Sequence, residues 1–508
     1  MEKNNCSFLC KRKLQDEQII VETGFAPVGL KKVLWVDAYV QIDNIEPLNR
    51  EVSYSGKVVF DVVFLDEANN IQTESLTSPF LNKIINENIS ANSKVVINIG
   101  GVNAEYIAES DKIQAVITIC SYVLCNENLE ILSNSESDLC VKTEAVISQN
   151  LIKAECIEIT ESLTYPITDR MENIISIKPK ICLKTVEVDT DVFEVQGEIL
   201  TNIKYLSNSD DVQKILTVNY VQPFKREIEV QGLKQGDYVD VNLAIKYDKF
   251  KYELDKTEMR ALLEVPISFC YAAYSQKAIP CVIDAFSVKN KVNLITQSHT
   301  KTEISELFYN EEKIEGSAVL NDNLPRIDKI IGFSDVSLTI TNSNIENNTL
   351  TVEGLIRFNL AYLNDETNEI NSVNKEIPFS VRFNIDLTDF TDLFITATLS
   401  EAEIIAKRGR EIFVDGKIKI GYAFSKLVTE AMITDVENSE EYPEKTSAIE
   451  IYFGKAGDDL WDIAKELHVN PEIITIQNPD IILPLEQNEN IVIYHQKNLR
   501  VTTFQILL

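Results

Sequence analysis

Three times in this chain a glycine is followed eight residues later by an aromatic residue and then by leucine. The three runs are SGKVVFDVVFLDE with Gly56, Phe64 and Leu65, QGEILTNIKYLSN with Gly197, Tyr205 and Leu206, and EGLIRFNLAYLND with Gly354, Tyr362 and Leu363. Between the glycine and the aromatic, Val, Ile and Leu alternate with other residues, which predicts one amphipathic strand with a turn after it. A Pro-Phe pair follows each turn, at Pro79-Phe80, Pro223-Phe224 and Pro378-Phe379, and a proline precedes each run, at Pro27, Pro166 and Pro325. Each stretch closes on another alternating run, KIQAVITICSY from Lys112, EMRALLEVPISFCY from Glu258 and EIFVDGKIKIGYAF from Glu411. The glycines stand 141 and 157 residues apart. That period is the size of a domain and not of a solenoid repeat. Strands bounded by Asn, Asp and Gly turns predict a multidomain, mainly β chain of three tandem sandwich-like units.

The divisions that follow are an N-terminal tail (1–16), three β-rich units (17–142, 143–285 and 286–428), an acidic linker (429–446), a small C-terminal module (447–496) and a tail (497–508). Short helices are expected near 143–158 and 300–310. The linker assignment rests on Thr429 to Lys445, which carries six acids and one base and lacks apolar periodicity. The tail ends in TTFQILL, a run that either packs on the module or marks a contact.

A chain of 508 residues exceeds what one core can organise. Its 44% hydrophobic and 25% charged residues are those of a folded protein. A net charge of −31 argues against a nucleic-acid binder, which needs clustered Lys and Arg, and equally against an anionic membrane surface. The N-terminus lacks the apolar stretch and cleavage site of a secretory signal, and no run is long enough to span a membrane, so a cytoplasmic protein without membrane insertion is expected. Nine cysteines, odd in number and without a Cys-x-x-Cys pair, fit a reducing compartment. Cys6 and Cys10 lack a nearby His or second pair and read as structural, not as a metal site.

The module begins with Gly457 and Asp458, with Asp458 placed to cap a helix from about Asp459 to Leu467. Leu460, Ile463, Ala464 and Leu467 give that helix one apolar face. Asn470 and Pro471 start a second helix, with Ile473, Ile474 and Ile476 as its expected buried side. Strand-like runs from Ala448 to Phe453 and from Asn490 to Tyr494 flank the pair, so a βααβ module is expected. Residues 448–498 carry nine acids and three lysines.

At Gly457, Asp458, Leu460, Trp461, Ile463, Ala464, Pro471, Ile474, Asn478, Ile491 and Ile493 the module resembles the LysM family. That resemblance implies a shallow groove for N-acetylglucosamine glycans, between the turn opening the first helix and the loop before the last strand. Here the groove departs from the family pattern, with Asp459 in place of the usual Thr, Asn488 in place of a Gly and Tyr494 in place of the closing Pro. A neutral amino-sugar polymer is therefore disfavoured as the ligand. Three glycine-aromatic units followed by such a module resemble the SPOCS-plus-LysM architecture of endospore-forming bacteria. The resemblance implies a non-enzymatic adaptor of spore coat assembly at the forespore surface in the mother-cell cytoplasm. Its protein partners would be a SpoIVA-like coat morphogenetic ATPase and other coat proteins. The docking residues expected on this basis are Gly457, Asp458, Asp459, Leu460, Trp461, Asn478 and Ile481. Trp461, at the edge of the apolar stripe, either anchors a partner or closes the module's small core.

Motifs for chemistry are sparse. The chain has three histidines and contains no Gly-x-Ser-x-Gly, His-Glu-x-x-His or Walker-type loop. No catalytic residue, metal or cofactor is expected. The competing readings are a peptidoglycan-binding protein and, more remotely, a hydrolase built on two carboxylates.

Overall fold

In the computed structural model, the described residues are 2–134, 139–167, 171, 173–207, 213–386, 389–443 and 445–495. The predicted C-terminal tail, 497–508, lies outside them. The chain is almost entirely β. Its first segment contains β1 (Glu2–Lys13), β2 (Glu17–Gly24), β3 (Leu30–Pro47), β4 (Glu51–Asp66), β5 (Ile71–Ile85), β6 (Lys94–Ile107) and β7 (Lys112–Asn134). The second contains β8 (Leu139–Pro166), β9 (Asn173–Asp189), β10 (Val192–Ser207), β11 (Lys214–Glu229), β12 (Tyr238–Ile245), β13 (Lys251–Asp255) and β14 (Arg260–Ser287). The third contains β15 (Asn290–Ile304), β16 (Phe308–Val319), β17 (Ile327–Phe333), β18 (Ser337–Glu346), β19 (Thr349–Asn364), β20 (Ile370–Asn384), β21 (Asp392–Lys407) and β22 (Glu411–Glu441).

Each segment has an antiparallel meander, β3-β4-β5, β11-β10-β9 and, in the third, β19 flanked by β20 on one side and β17 and β18 on the other. Each also has a long closing strand, β7, β14 or β22, that pairs with the strands opening its segment. The two sheets of a segment enclose one apolar core. In the first segment Val58, Phe60 and Val62 of β4 meet Ile113, Ala115 and Ile117 of β7. Burial alternates along β4 from Val52 to Val62, as its Val-rich pattern dictates, and runs unbroken from Val62 to Leu65.

The repeated glycines sit at equivalent places. Gly56, Gly197 and Gly354 lie in the middle strands β4, β10 and β19, directly across from Phe80, Phe224 and Phe379. A Cβ at any of the three would collide with the phenylalanine ring and with a backbone carbonyl of the neighbouring strand, that of Gln41, Cys182 or Thr339. The register shifts beside each of those carbonyls. The glycine is therefore required by close approach of a bulged strand on one side and a ring on the other. Phe64, Tyr205 and Tyr362 are buried in the same three strands. Pro79, Pro223 and Pro378 occupy the outer strands β5, β11 and β20, whose other edge needs no donor there.

The structure corrects three sequence expectations. Residues 2–13 are not a tail but strand β1, in which six consecutive residues, Cys6 to Lys11, are buried. The strand pairs with β7 on its edge and is covered on both faces, so it shows no alternation. Most of the expected linker, up to Glu441, continues β22, and Met432, Ile433 and Val436 are buried in it. The expected helix at 143–158 is strand, in β8, and the one at 300–310 is the end of β15, a connection at 305–307 and the start of β16. Cys156 and Cys270, 114 residues apart, face each other across β8 and β14 and are joined as a disulfide with Cα atoms 4.0 Å apart.

The three segments close on one another. At one end, Cys6, Phe8, Leu129 and Ile131 of the first pack with Cys281 of the second and Met432 of the third. At another, Trp35 and Val63 meet Ile215 and Ile331 together with Ala361. A cavity of about 1730 Å³ is lined by strands of all three segments. Charges are buried at the junctions. Lys204 Nζ of the second segment is 3.0 Å from Asp37 Oδ2 of the first and 2.6 Å from Asp335 Oδ1 of the third. The Tyr39 hydroxyl and the Asp335 backbone N–H complete this cluster, donating to Asp335 Oδ2 and Asp37 Oδ1 at 2.6 Å each. Lys11, 2.8 Å from Asp240, forms a second such pair between the first and second segments. Buried charges survive only with partners of this kind, and losing one partner is costly.

Candidate docking site on the C-terminal module

After β22 the chain forms β23 (Ile449–Gly454), α1 (Leu460–Leu467), α2 (Pro471–Gln477) and β24 (Glu489–Tyr494). Ile463, Ala464, Leu467, Ile474, Leu485, Ile491 and Ile493 build its core. The N-cap of α1 is Asp459, one residue later than the sequence suggests, and its carboxylate accepts from the Asp462 backbone N–H at 2.7 Å. Asn470 caps α2 with Pro471 at the first turn, as its sequence predicts. Of the three isoleucines expected on the buried side of α2, only Ile474 is buried, while Ile473 and Ile476 are exposed.

Gly457, at φ +97°, makes a turn that a side chain would strain. Asp458 accepts from the Lys455 N–H at 2.8 Å and from the Tyr452 hydroxyl at 3.0 Å. The backbone bond comes first among the causes that hold its carboxyl below the usual carboxylate range. The loop opening α1 and the loop preceding β24 are tied together. Gly457 N–H donates to Leu485 O, Leu485 N–H to Asp458 O, and Ala456 N–H to Asn488 Oδ1. Asn478 is equally committed, its side chain donating to Ile474 O and Val492 O and accepting from Val492 N–H. Leu460 and Ile481 are half-buried against the core.

Trp461 does not stand free. Its indole N–H donates to Asp284 Oδ2 of β14 at 2.8 Å, and its ring meets Phe286 edge-on with centroids 5.1 Å apart. Lys465 reaches the same Asp284 at 2.7 Å. Burial would raise the Asp284 carboxyl, but Lys465 and Trp461 together bring it below its usual value. The α1 face expected to dock a partner thus rests on the second segment, with Cys140 and Val288 packed beside it.

The unpartnered surface lies on the other side. Along β23, Ile449, Ile451 and Phe453 point outward, 51%, 50% and 74% exposed. Directly across on β24 stand exposed Tyr494 and half-buried Val492, paired with Ile449 and Ile451. The sheet therefore presents an apolar outer face. Sequence reasoning missed this face because period-two alternation normally assigns the isoleucines to the core. Here Glu450 and Tyr452 point inward, Glu450 bound by Lys445 at 2.6 Å and by His495 at 2.9 Å.

Among the described residues, no cluster of three or more His, Cys, Asp or Glu is placed to hold a metal ion, and no helix is long and apolar enough to cross a membrane. No curated protein and no solved structure matches the chain. A family model described as SipL, SPOCS domain, matches residues 170–253 and 326–406. The first match runs from the start of the β9-β10-β11 meander into β13, and the second from the β17–β20 meander into β21. The chain is a SipL-like SPOCS-domain protein.

Proposed function

We propose that the chain is a non-enzymatic adaptor of spore coat assembly, acting in the mother-cell cytoplasm at the forespore surface. In this reading β3 to β6 form a third SPOCS copy, since Gly56 and Phe80 repeat the cross-strand pairing of the two matched copies. The C-terminal βααβ unit is a LysM module that docks on a SpoIVA-like coat morphogenetic ATPase, and the three-segment body binds further coat proteins. The observation carrying the docking claim is the outer face of β23 and β24, with Ile449, Ile451, Phe453 and Tyr494 exposed together. An apolar patch with an aromatic at its edge is the composition of an interface core. The module's nine acids against three lysines call for a partner patch that is apolar at its centre and basic at its rim. Glycan binding has less support, because the loops flanking the family's groove spend polar groups on each other.

The test uses the full chain and the purified coat ATPase. Ile451→Arg should weaken binding at least tenfold, on the order of 1.4 kcal/mol or more, with an unchanged melting temperature. Unchanged binding would remove the face from the docking site. Retention on purified peptidoglycan, competed by chitin oligomers, would favour the glycan reading instead.

A further inference from the structure

Seven cysteines are free, and among them one pair is in direct cross-strand register, Cys10 on β1 opposite Cys125 on β7. The others face non-cysteine partners, Leu129 for Cys6, Asn98 for Cys120, Phe286 for Cys140, Glu198 for Cys182 and Glu144 for Cys281. The same across-the-ladder placement is already closed as a disulfide in the next segment, between Cys156 and Cys270. The two thiols of the first pair have unlike surroundings. Cys10 is fully buried, and its S–H donates to Thr300 O of β15 at 2.8 Å. Cys125 is half-buried.

We propose that Cys10 and Cys125 form a second, reversible disulfide, a redox latch that fixes β1 to β7. The two cysteines take different parts. Contact with the Cys10 thiol, with Arg12 nearby, holds the Cys125 thiol below its usual value against the effect of burial, while the same contact and burial push Cys10 up. Cys125 is thus both the more accessible and the more ionised sulfur, the requirements for an attacking thiolate. It attacks one sulfur of a low-molecular-weight disulfide such as oxidised glutathione, breaking that bond and releasing one thiolate. Cys10 then gives up its proton and attacks the Cys125 sulfur, expelling the second thiolate. The chain loses two electrons and two protons, which end on two molecules of the small thiol. Cys6 and Cys281 share the apolar junction but are not paired across a ladder, since Cys6 stands opposite Leu129 and Cys281 opposite Glu144. Oxidation exchanges the Cys10 S–H link to the third segment for a covalent link within the first.

The experiment is alkylation and peptide mapping of the full chain after exposure to oxidised glutathione or to dithiothreitol. Oxidation should remove two of the seven alkylatable thiols and yield one new linked peptide pair containing Cys10 and Cys125. In Cys10→Ala, Cys125 should be left as a stable mixed disulfide with glutathione, whereas Cys125→Ser should take up no glutathione at Cys10. Because Cys10 is buried and its replacement can disturb folding, the wild-type map decides the matter. Seven alkylatable thiols retained after oxidation, a lasting mixed disulfide on the wild type, or Cys125 linked to any other cysteine would overturn the proposal.

Discussion

The indole N–H of Trp461 donates to Asp284 Oδ2 at 2.8 Å, joining the first helix of the C-terminal module to the closing strand of the second segment. A hydrogen bond to an ionised acceptor contributes about 2 kcal/mol, and the edge contact with Phe286 adds to it. Trp461→Ala should therefore release the module from the body before it unfolds the body. Limited proteolysis between Tyr442 and Ile449 should accelerate, while the main thermal transition changes little. Asp284→Asn should reproduce part of the effect, because it also weakens the pairing with Lys465.

The repeated glycines make a second test. A Cβ at Gly197 would stand 2.5 Å from Cys182 O and 2.6 Å from the Phe224 ring. Overpacking of this kind costs about 1–3 kcal/mol, so Gly197→Ala should lower the denaturation midpoint clearly. Gly457→Ala meets open space and only the strain of its φ of +97°. Its cost should be about 1 kcal/mol and confined to the module. A Gly197→Ala protein as stable as wild type would mean that β9 and β10 do not approach as described.

The cluster of Asp37, Lys204 and Asp335 predicts a pH dependence. Two carboxylates share one ammonium, so they do not ionise with equal ease. Burial pushes Asp37 up to about 6 against the pull of Lys204, whereas Asp335 is held down, the pull of Lys204 and Lys180 exceeding the effect of burial. A raised carboxyl contributes stability that is present below its unfolded value near 4 and is lost as pH rises through about 6. The Asp335 contribution runs the other way, present above pH 4 and lost below it. Asp37→Asn removes the Asp37 contribution. Denaturant unfolding at pH 4.5 and pH 7.5 should show the variant gaining on wild type by about 2 kcal/mol as pH rises. A difference that does not change with pH would mean that Asp37 ionises freely.

Much of the sheet architecture was legible because each meander is self-contained. The middle strands alternate, their glycines and Pro-Phe pairs recur at fixed offsets, and both partner strands lie within a few tens of residues. What stayed hidden depends on contacts between distant stretches. Strand β1 looks like a charged tail because Lys11, Arg12 and Lys13 end it, yet the buried Lys11 is matched by Asp240, which lies 229 residues away. The acidic end of β22 follows from pairing with β15, for which Met432, Ile433 and Val436 were too faint a signal. In the module, the cap and core positions could be read locally, but the roles of its two faces could not. Trp461 is engaged because Asp284 and Phe286 reach it from another segment, and Ile451 is bare because nothing among the described residues does the same for β23.

Lys204 has a meaning that chain connectivity alone allows. Seven residues after each repeated glycine stand Val63, Lys204 and Ala361, and the first and last belong to the apolar cluster where the three segments meet. Were the body a homotrimer of separate copies, any mutation here would appear three times, and three facing ammonium groups would have to be buried around one axis. Covalent linkage of three segments lifts that restriction. One position can take a charge while its two counterparts stay aliphatic, and one acid from each neighbour suffices to neutralise it. The same freedom extends to the outer surfaces, where each segment can change without forcing the same change on the other two.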